Sequence, residues 1–402
     1  MQLATRKGAW AAVASLAVVA AACGNSGLNK PGSSYSSVTV PQISASAFNS
    51  SFSAMGQLQP LAGIGRGNVA VILPEAGPPA RYSDLEARYL TKALMKAGLS
   101  KSQFTVQNAQ GQDSTELNDA QIAIGKGASV LVVDPLSSVV GASIEKYAAA
   151  HAVPVIDYNR LTLGGSRRFY VGFNSVKVGT TLGKGLVSCI KAWKVKNPNV
   201  FIMYGNPADN NATLIGQGYN AVLSPLFKNG TFTQVGKATG TWNPPTALSE
   251  FQQQFTAHPS MNALLSPQDE SASPIITYLQ HAGAQPRTFP VTGQDATLRG
   301  LQDILAGYQC GTVYKPAYLE AQAAVALAMY LRAGIAVPNS LTDGATTMDT
   351  SQHAAVASVL LTPIWVTTSN MNATVIADKF VSPSSLCTAR YKAACTAAGI
   401  SG

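Results

Sequence analysis

Charge is scarce in this chain: Asp, Glu, Lys and Arg make up 12% of the residues against 46% that are hydrophobic. That balance excludes a wholly disordered chain and a charged coiled coil alike. The Lys and Arg behind the formal net charge of +9 are scattered, so no segment reads as a nucleic-acid-binding arm, and the excess is at most a weak attraction to an anionic envelope. The apolar run from Ala9 to Ala22 is too short to cross a bilayer as a permanent helix. The four histidines, His151, His258, His281 and His353, are far apart and form no HExxH pattern, and no cysteines have CxxC or Cys/His spacing, so no metal is expected. Gly63-Ile64-Gly65-Arg66-Gly67 lacks the spacing of a phosphate loop and precedes the first expected strand. No cofactor is expected, and no internal repeat indicates a solenoid.

The N-terminus carries a clear local signal. Arg6 and Lys7 are followed by the apolar run and then by small residues leading into Cys23. This order resembles a bacterial lipoprotein signal, which implies removal of residues 1–22, lipidation of Cys23 and a membrane anchor there, although Ala20 stands where leucine is usual. The alternative is plain signal-peptide cleavage with Cys23 an ordinary thiol. Both imply export, to the outer face of a cell membrane or to a periplasm, where disulfides persist. Cys387 and Cys395 lie close together and read as a local staple, while Cys189 and Cys310 either pair or stay as buried thiols.

Residues 23–67 are rich in Ser, Gly, Asn and Ala and read as a flexible tether. Within them Phe48, Phe52, Met55 and Leu58 recur at near-helical spacing, as in a short amphipathic piece docked on the body. After Gly67 short apolar runs alternate with longer amphipathic segments. Strands are predicted at Asn68 to Leu73, Phe104 to Gln107, Ser129 to Val133, Val153 to Ile156, Phe169 to Phe173, Val200 to Tyr204, Ala263 to Leu265, Phe289 to Thr292, Gly311 to Tyr314 and Val359 to Val366. The first helix shows the pattern: Ser83 and Glu86 read as a capping box, and Leu85, Tyr89, Leu90, Ala93, Leu94 and Ala97 share one face. Such alternation predicts an α/β fold with parallel sheets, and ten strands in 402 residues divide into two doubly wound, Rossmann-like lobes.

Ligands of open parallel sheets bind beyond the carboxyl ends of the strands, and there the chain is consistently polar. The segments are Pro74-Glu75 leading to Arg81-Tyr82, Asp134-Pro135, Asp157 to Arg160, Asn174-Ser175, Gly205 to Asn211, Gln268 to Glu270, Gly293 to Asp295 and Lys315-Pro316. Carboxylates and amides accept hydrogen bonds while Arg, Lys and amide nitrogens donate them, which suits the hydroxyls of a sugar. Tyr82 and Trp242 offer flat surfaces for its C–H faces.

Several motifs resemble the xylose-type branch of bacterial periplasmic sugar-binding proteins: Ala80 to Tyr82, Tyr158 to Arg160, Val178-Gly179, Asp209 to Ala212, Gly293 to Ala296, Thr312 to Pro316 and Leu360 to Pro363, in order over roughly Asn68 to Cys387. The resemblance implies a type 1 periplasmic binding protein fold, in which two lobes joined by a three-stranded hinge close around one monosaccharide, and an ABC transporter permease as partner. It implies sugar contacts from Arg81, Tyr82, Asn159, Arg160, Asn211, Trp242, Gln268, Asp295 and Lys315. Asn159 stands where aspartate is usual, Gln268 where asparagine is usual and Tyr82 where tryptophan is frequent, so the sugar is open, with xylose or a glucose-like aldopyranose first. Lobe one is expected to hold residues 68–174 and 316–345, lobe two residues 175–311 and 346–402, and the protein to be a monomer.

Other readings of the same residues are plainer. The plainer alternatives, each weighed below the ligand role, are surface charges for Arg160 and Lys315, a cap of the following helix for Asp295 and packing under a loop for Trp242. Asp209 and Asn210 read as shaping the loop or starting its helix rather than touching ligand, and Asp134, Asp157 and Asp269 as structural. An exported carbohydrate-active enzyme would draw on Glu75, Asp269, Glu270 or Asp295, but no Ser/His/Asp or metal constellation accompanies them, and no enzyme is expected. A sensory receptor would need the same pocket as a transport receptor. A related two-lobed repressor is disfavoured, because an export signal stands where a DNA-binding helix-turn-helix would be.

Overall fold

The computed structural model describes residues 39–75 and 85–401. The chain runs through α1 (Gln59–Ile64), β1 (Asn68–Leu73), α2 (Ala87–Lys96), β2 (Phe104–Asn108), α3 (Asp113–Gly125), β3 (Ala128–Val133), α4 (Ser138–Ala150), β4 (Val155–Tyr158) and β5 (Phe169–Phe173). It continues through α5 (Ser175–Ala192), β6 (Asn199–Ile202), α6 (Asn210–Lys228), β7 (Thr233–Gln234), α7 (Pro244–Ala257), β8 (Ala263–Leu265), α8 (Asp269–His281), β9 (Thr292–Gln294), α9 (Leu298–Leu305) and β10 (Gly311–Tyr314). Last come α10 (Ala317–Ala333), α11 (Asn339–Thr342), β11 (Thr346–Asp349), β12 (Ala354–Leu361), β13 (Ile364–Val366), α12 (Pro383–Leu386) and α13 (Lys392–Ala397).

The strands form two parallel arrays. One is a seven-stranded sheet in the order β11-β12-β5-β4-β3-β1-β2, parallel except for β11. The other comprises β7-β6-β8 and β9-β10-β13, joined by a bridge between Leu264 and Val291, with β13 antiparallel. Strands such as Asn68–Leu73 and Ala128–Val133 are continuous aliphatic runs because helices cover both faces of the sheet. The chain leaves the first sheet at Asn174, whose Oδ1 accepts from Lys177 N at 2.9 Å and caps α5. It returns after Lys315, since α10 packs on β1, β3, β4, β5 and β12.

Four expectations need correction. The run Val359 to Val366 is not one strand: Pro363 cannot donate to a ladder, and the chain breaks into β12 and β13 on either side of Thr362 and Pro363. Because β12 pairs with β5, residues 346–361 belong to the first sheet rather than to the second lobe, and the third crossing falls at this proline. The strand expected at Phe289 to Thr292 lies later, at Thr292–Gln294, where Gly311 to Val313 pair with it. The tether assigned to 23–67 is also too long. Ile43, Phe48, Phe52, Met55, Leu58 and Leu61 are buried in the main core, and Tyr330 Oη donates to Pro41 O at 2.6 Å, so from about residue 41 the segment is part of the body. Residues 1–38, with the signal and Cys23, lie outside the described residues.

The two halves are built to tight tolerances. The α5 and α6 backbones meet at Gly179 and Gly218, where a Cβ would run into the carbonyl oxygens of Ile215 and Val176. Gly179, part of a sequence motif, is thus explained by helix contact. Cys189 on α5 pairs with Cys310 before β10, and Cys387 pairs with Cys395. The C-terminal segment forms a second small core from Leu301, Met371, Phe380, Leu386 and Tyr391 against Tyr314. Glu86 is buried and accepts from the Tyr158 hydroxyl, and Ser83, the other half of the expected capping box, lies outside the described residues.

Candidate functional site

Strand ends from both arrays meet at one cavity. Its wall contains Asn159 and Arg160 beyond β4, Asp209, Asn211 and Ile215 at the start of α6, Trp242 before α7, Gln268 beyond β8, Gln294 and Asp295 at the end of β9, and Lys315 beyond β10. The structure therefore brings together seven of the expected residues: Asn159, Arg160, Asn211, Trp242, Gln268, Asp295 and Lys315. Arg81 and Tyr82 lie outside the described residues.

On the first half, Asn159 adopts a left-handed conformation with φ 59°, which asparagine tolerates better than most residues, and the turn follows directly on β4. Its Nδ2 donates to Asp134 Oδ2 at 3.0 Å, and its carbonyl accepts from Tyr170 Oη at 3.0 Å and from Asn211 Nδ2 at 2.7 Å. The last bond comes from the other half. Arg160 is buried; its Nη1 donates to Pro135 O at 3.3 Å, and its Nε lies 3.3 Å from Asp209 Oδ2 and 3.7 Å from Asp134 Oδ1. Glu75 stands 3.8 Å from its Nη2.

On the second half, Asp209 caps α6 by accepting from Asn211 N at 2.8 Å, and its other oxygen accepts from the Trp242 indole Nε1 at 3.0 Å. Asp209 thus starts its helix, as one of its two expected roles had it, and the same carboxylate also joins Arg160 to Trp242. Gly205 leaves room for the Trp242 ring, which a Cβ there would strike. Gln268 is anchored through Nε2, which donates to Trp242 O at 2.8 Å and to Ser271 Oγ at 2.7 Å.

Asp295 is not the cap of α9; Thr297 is, its Oγ1 accepting from Gly300 N at 3.0 Å. Asp295 has φ 86° and Ala296 φ 50°, so the chain turns sharply after β9 and Asp295 comes within 3.2 Å of Lys315 Nζ. Beneath the turn lies Asp269, fully buried, accepting from Thr297 N at 2.8 Å and from Gln309 Nε2 at 2.7 Å. Burial pushes its carboxyl up to about 8, while the bonds from Gln309 and Thr297 act in the opposite direction. Asp269 thus braces the turn from below.

The arrangement has a definite chemical character. Arg160 is matched by Asp209 and Lys315 by Asp295, so the cavity presents donors and acceptors without an excess cation to attract a phosphate. Trp242 and Ile215 supply apolar surface among them. Among the described residues no group of three or more His, Cys, Asp or Glu is placed to hold a metal ion. Sequence reasoning missed Ile215 and Gln294 on this wall. Ile215 is one helical turn beyond Asn211, a spacing that marks a shared face, and Gln294 sits inside a motif whose next residue alone was singled out.

Two α/β halves, crossed three times by the chain and meeting at a polar cavity beyond their strand ends, define a two-lobed ligand-binding protein. The chain belongs to the periplasmic binding protein family, residues 69–335 matching the periplasmic binding protein domain, and it has the fold expected from its motifs. It is 33% identical over 301 residues to the D-xylose-binding periplasmic protein of Escherichia coli (strain K12), covering 73% of this chain and 86% of that protein. The D-xylose-binding periplasmic protein of Haemophilus influenzae is 32% identical over 293 residues, covering 71% and 83%. Among solved structures, the carbohydrate transporter solute binding protein from Chloroflexus aurantiacus in complex with D-glucose matches with a TM-score of 0.69 at 24% identity, covering 79% of this chain and 97% of that one.

Proposed function

We propose that this protein is the substrate-binding component of an ABC sugar importer, taking one monosaccharide between its two lobes and delivering it to a membrane permease. One observation carries the reading: donors and acceptors from the strand ends of both halves line a single cavity whose cations are each matched by a carboxylate. A neutral guest with many hydroxyls satisfies such a set, because each hydroxyl donates once and accepts from its neighbours. The relatives named for D-xylose and the structural match holding D-glucose support an aldopyranose as the first ligand to try.

In this mechanism the sugar first meets one lobe. The second lobe closes when its own polar groups reach the remaining hydroxyls, so ligand binding favours the closed form that the permease reads. Asn159, Arg160, Asn211, Gln268, Asp295 and Lys315 supply the polar contacts and Trp242 a flat platform for the ring, and the family motif adds Arg81 and Tyr82 to the proposed contacts. The protein acts by binding without turnover, as a monomer, outside the cell membrane. The order of charge, apolar run, small residues and Cys23 supports export with a lipid anchor at that cysteine.

A thermal-shift screen against pentoses, hexoses and disaccharides tests the reading, followed by calorimetry on the wild type and on Asp295→Ala. A monosaccharide should bind, and the substitution should weaken it by more than about tenfold, because it leaves buried polar partners unmatched. Release of sugar from glycosides by the purified protein would instead show an enzyme.

A further inference from the structure

Gln294 ends β9, where it pairs with Val313 of β10. In an extended strand successive side chains point to opposite faces, so two consecutive residues do not ordinarily share one cavity wall. Here the left-handed conformations of Asp295 and Ala296 break the alternation, and both Gln294 and Asp295 line the cavity. Asp295 meets Lys315. The Gln294 side chain is buried, at 4% exposure, and its Oε1 accepts no hydrogen bond from the protein. The contrast with Gln268 across the wall is instructive, since the Gln268 amide nitrogen is engaged by Trp242 O and Ser271 Oγ. A buried carboxamide oxygen left unmatched, in a residue that lines the cavity, is costly unless a donor meets it.

We propose that Gln294 is a specificity-determining residue, its Oε1 accepting a hydrogen bond from one particular hydroxyl of the bound monosaccharide. The assignment rests on the sugar-binding reading above. A hydroxyl in reach donates to Oε1 and makes good its desolvation. An analogue with hydrogen in place of that hydroxyl leaves Oε1 buried without a donor, so the site selects against it more sharply than an apolar wall would.

The test is calorimetry with the tightest-binding monosaccharide of the screen and each of its monodeoxy analogues, on wild type, Gln294→Met and Gln294→Asn. Methionine keeps the length without the acceptor, and asparagine withdraws the oxygen by one methylene. The wild type should lose about tenfold or more for one deoxy analogue that both variants bind almost as well as they bind the parent sugar. Both variants should bind the parent about tenfold or more weakly. Either variant alone decides the matter if the other does not fold, which thermal melts will show. Variants that bind the parent as tightly as wild type, or that lose affinity equally for the parent and for every analogue, overturn the assignment of Gln294 while leaving sugar binding intact. A folded wild type that binds none of the screened sugars overturns the sugar reading itself, and this assignment with it.

Discussion

Asp209 Oδ2 lies 3.3 Å from Arg160 Nε, and this ion pair ties a helix start of one half to a strand end of the other. Both side chains are buried, and Asp134 and Glu75 also face Arg160, so removing either partner of the pair disrupts a buried charge network rather than one isolated contact. Asp209→Ala and Arg160→Ala should each weaken sugar binding by more than tenfold, and the unliganded variants should have a larger radius of gyration in solution scattering. Unchanged scattering and affinity in both would mean that the contact neither holds the halves together nor shapes the pocket.

Two buried acids set a pH dependence. Burial raises Asp269 to about 8 and Glu116 to about 8, from ordinary values of 3.8 and 4.5. The folded chain therefore holds protons that the unfolded chain has released between roughly pH 4 and 8. Their contribution to stability is fully present below about pH 4 and is lost as the pH rises towards 8. The thermal midpoint should fall across that window, and the Glu116→Gln, Asp269→Asn double variant should show a flatter profile. An equal slope in both proteins would assign the dependence to other groups.

The contact of α5 with α6 admits no side chain at Gly179. Gly179→Ala should destabilise the fold by about 1–3 kcal/mol or more in urea unfolding, since two backbones rather than a flexible side chain must move apart. A loss within error of zero would show that the helices can separate freely.

The disulfides should differ in value. Cys189–Cys310 closes a span of 121 residues and Cys387–Cys395 one of 8. Loop-closure entropy puts the first near 5 kcal/mol and the second at about 2–3 kcal/mol. Paired Cys→Ser substitutions followed by denaturant titration should reproduce that order, and the reverse order would point to residual structure in the unfolded chain.

Much of this molecule was legible without coordinates where the signal was local. Aliphatic runs such as Asn68–Leu73 must become buried strands, and the polar residues just beyond them must stand at the sheet's carboxyl edge, which is how Asn159, Arg160 and Lys315 were found. Phe48, Phe52, Met55 and Leu58 marked a docked segment by their spacing, yet the polar residues around them hid how far it extends. Less was legible where pairing decides: β11 is mostly exposed and β7 has two residues, so neither has an apolar pattern to read.

The sequence by itself determined the alternation of strand and helix, the two-lobed class and the placement of polar groups at strand ends, because burial and periodicity act within a few neighbours along the chain. Only tertiary structure decided that β12 completes the first sheet, that Cys189 meets Cys310, and that Asp209 reaches Arg160 while Gln294 keeps an unmatched oxygen on the cavity wall. Those outcomes depend on which distant segments come within a few ångströms of one another, and hydrogen bonds, ion pairs and steric contacts are settled at that range.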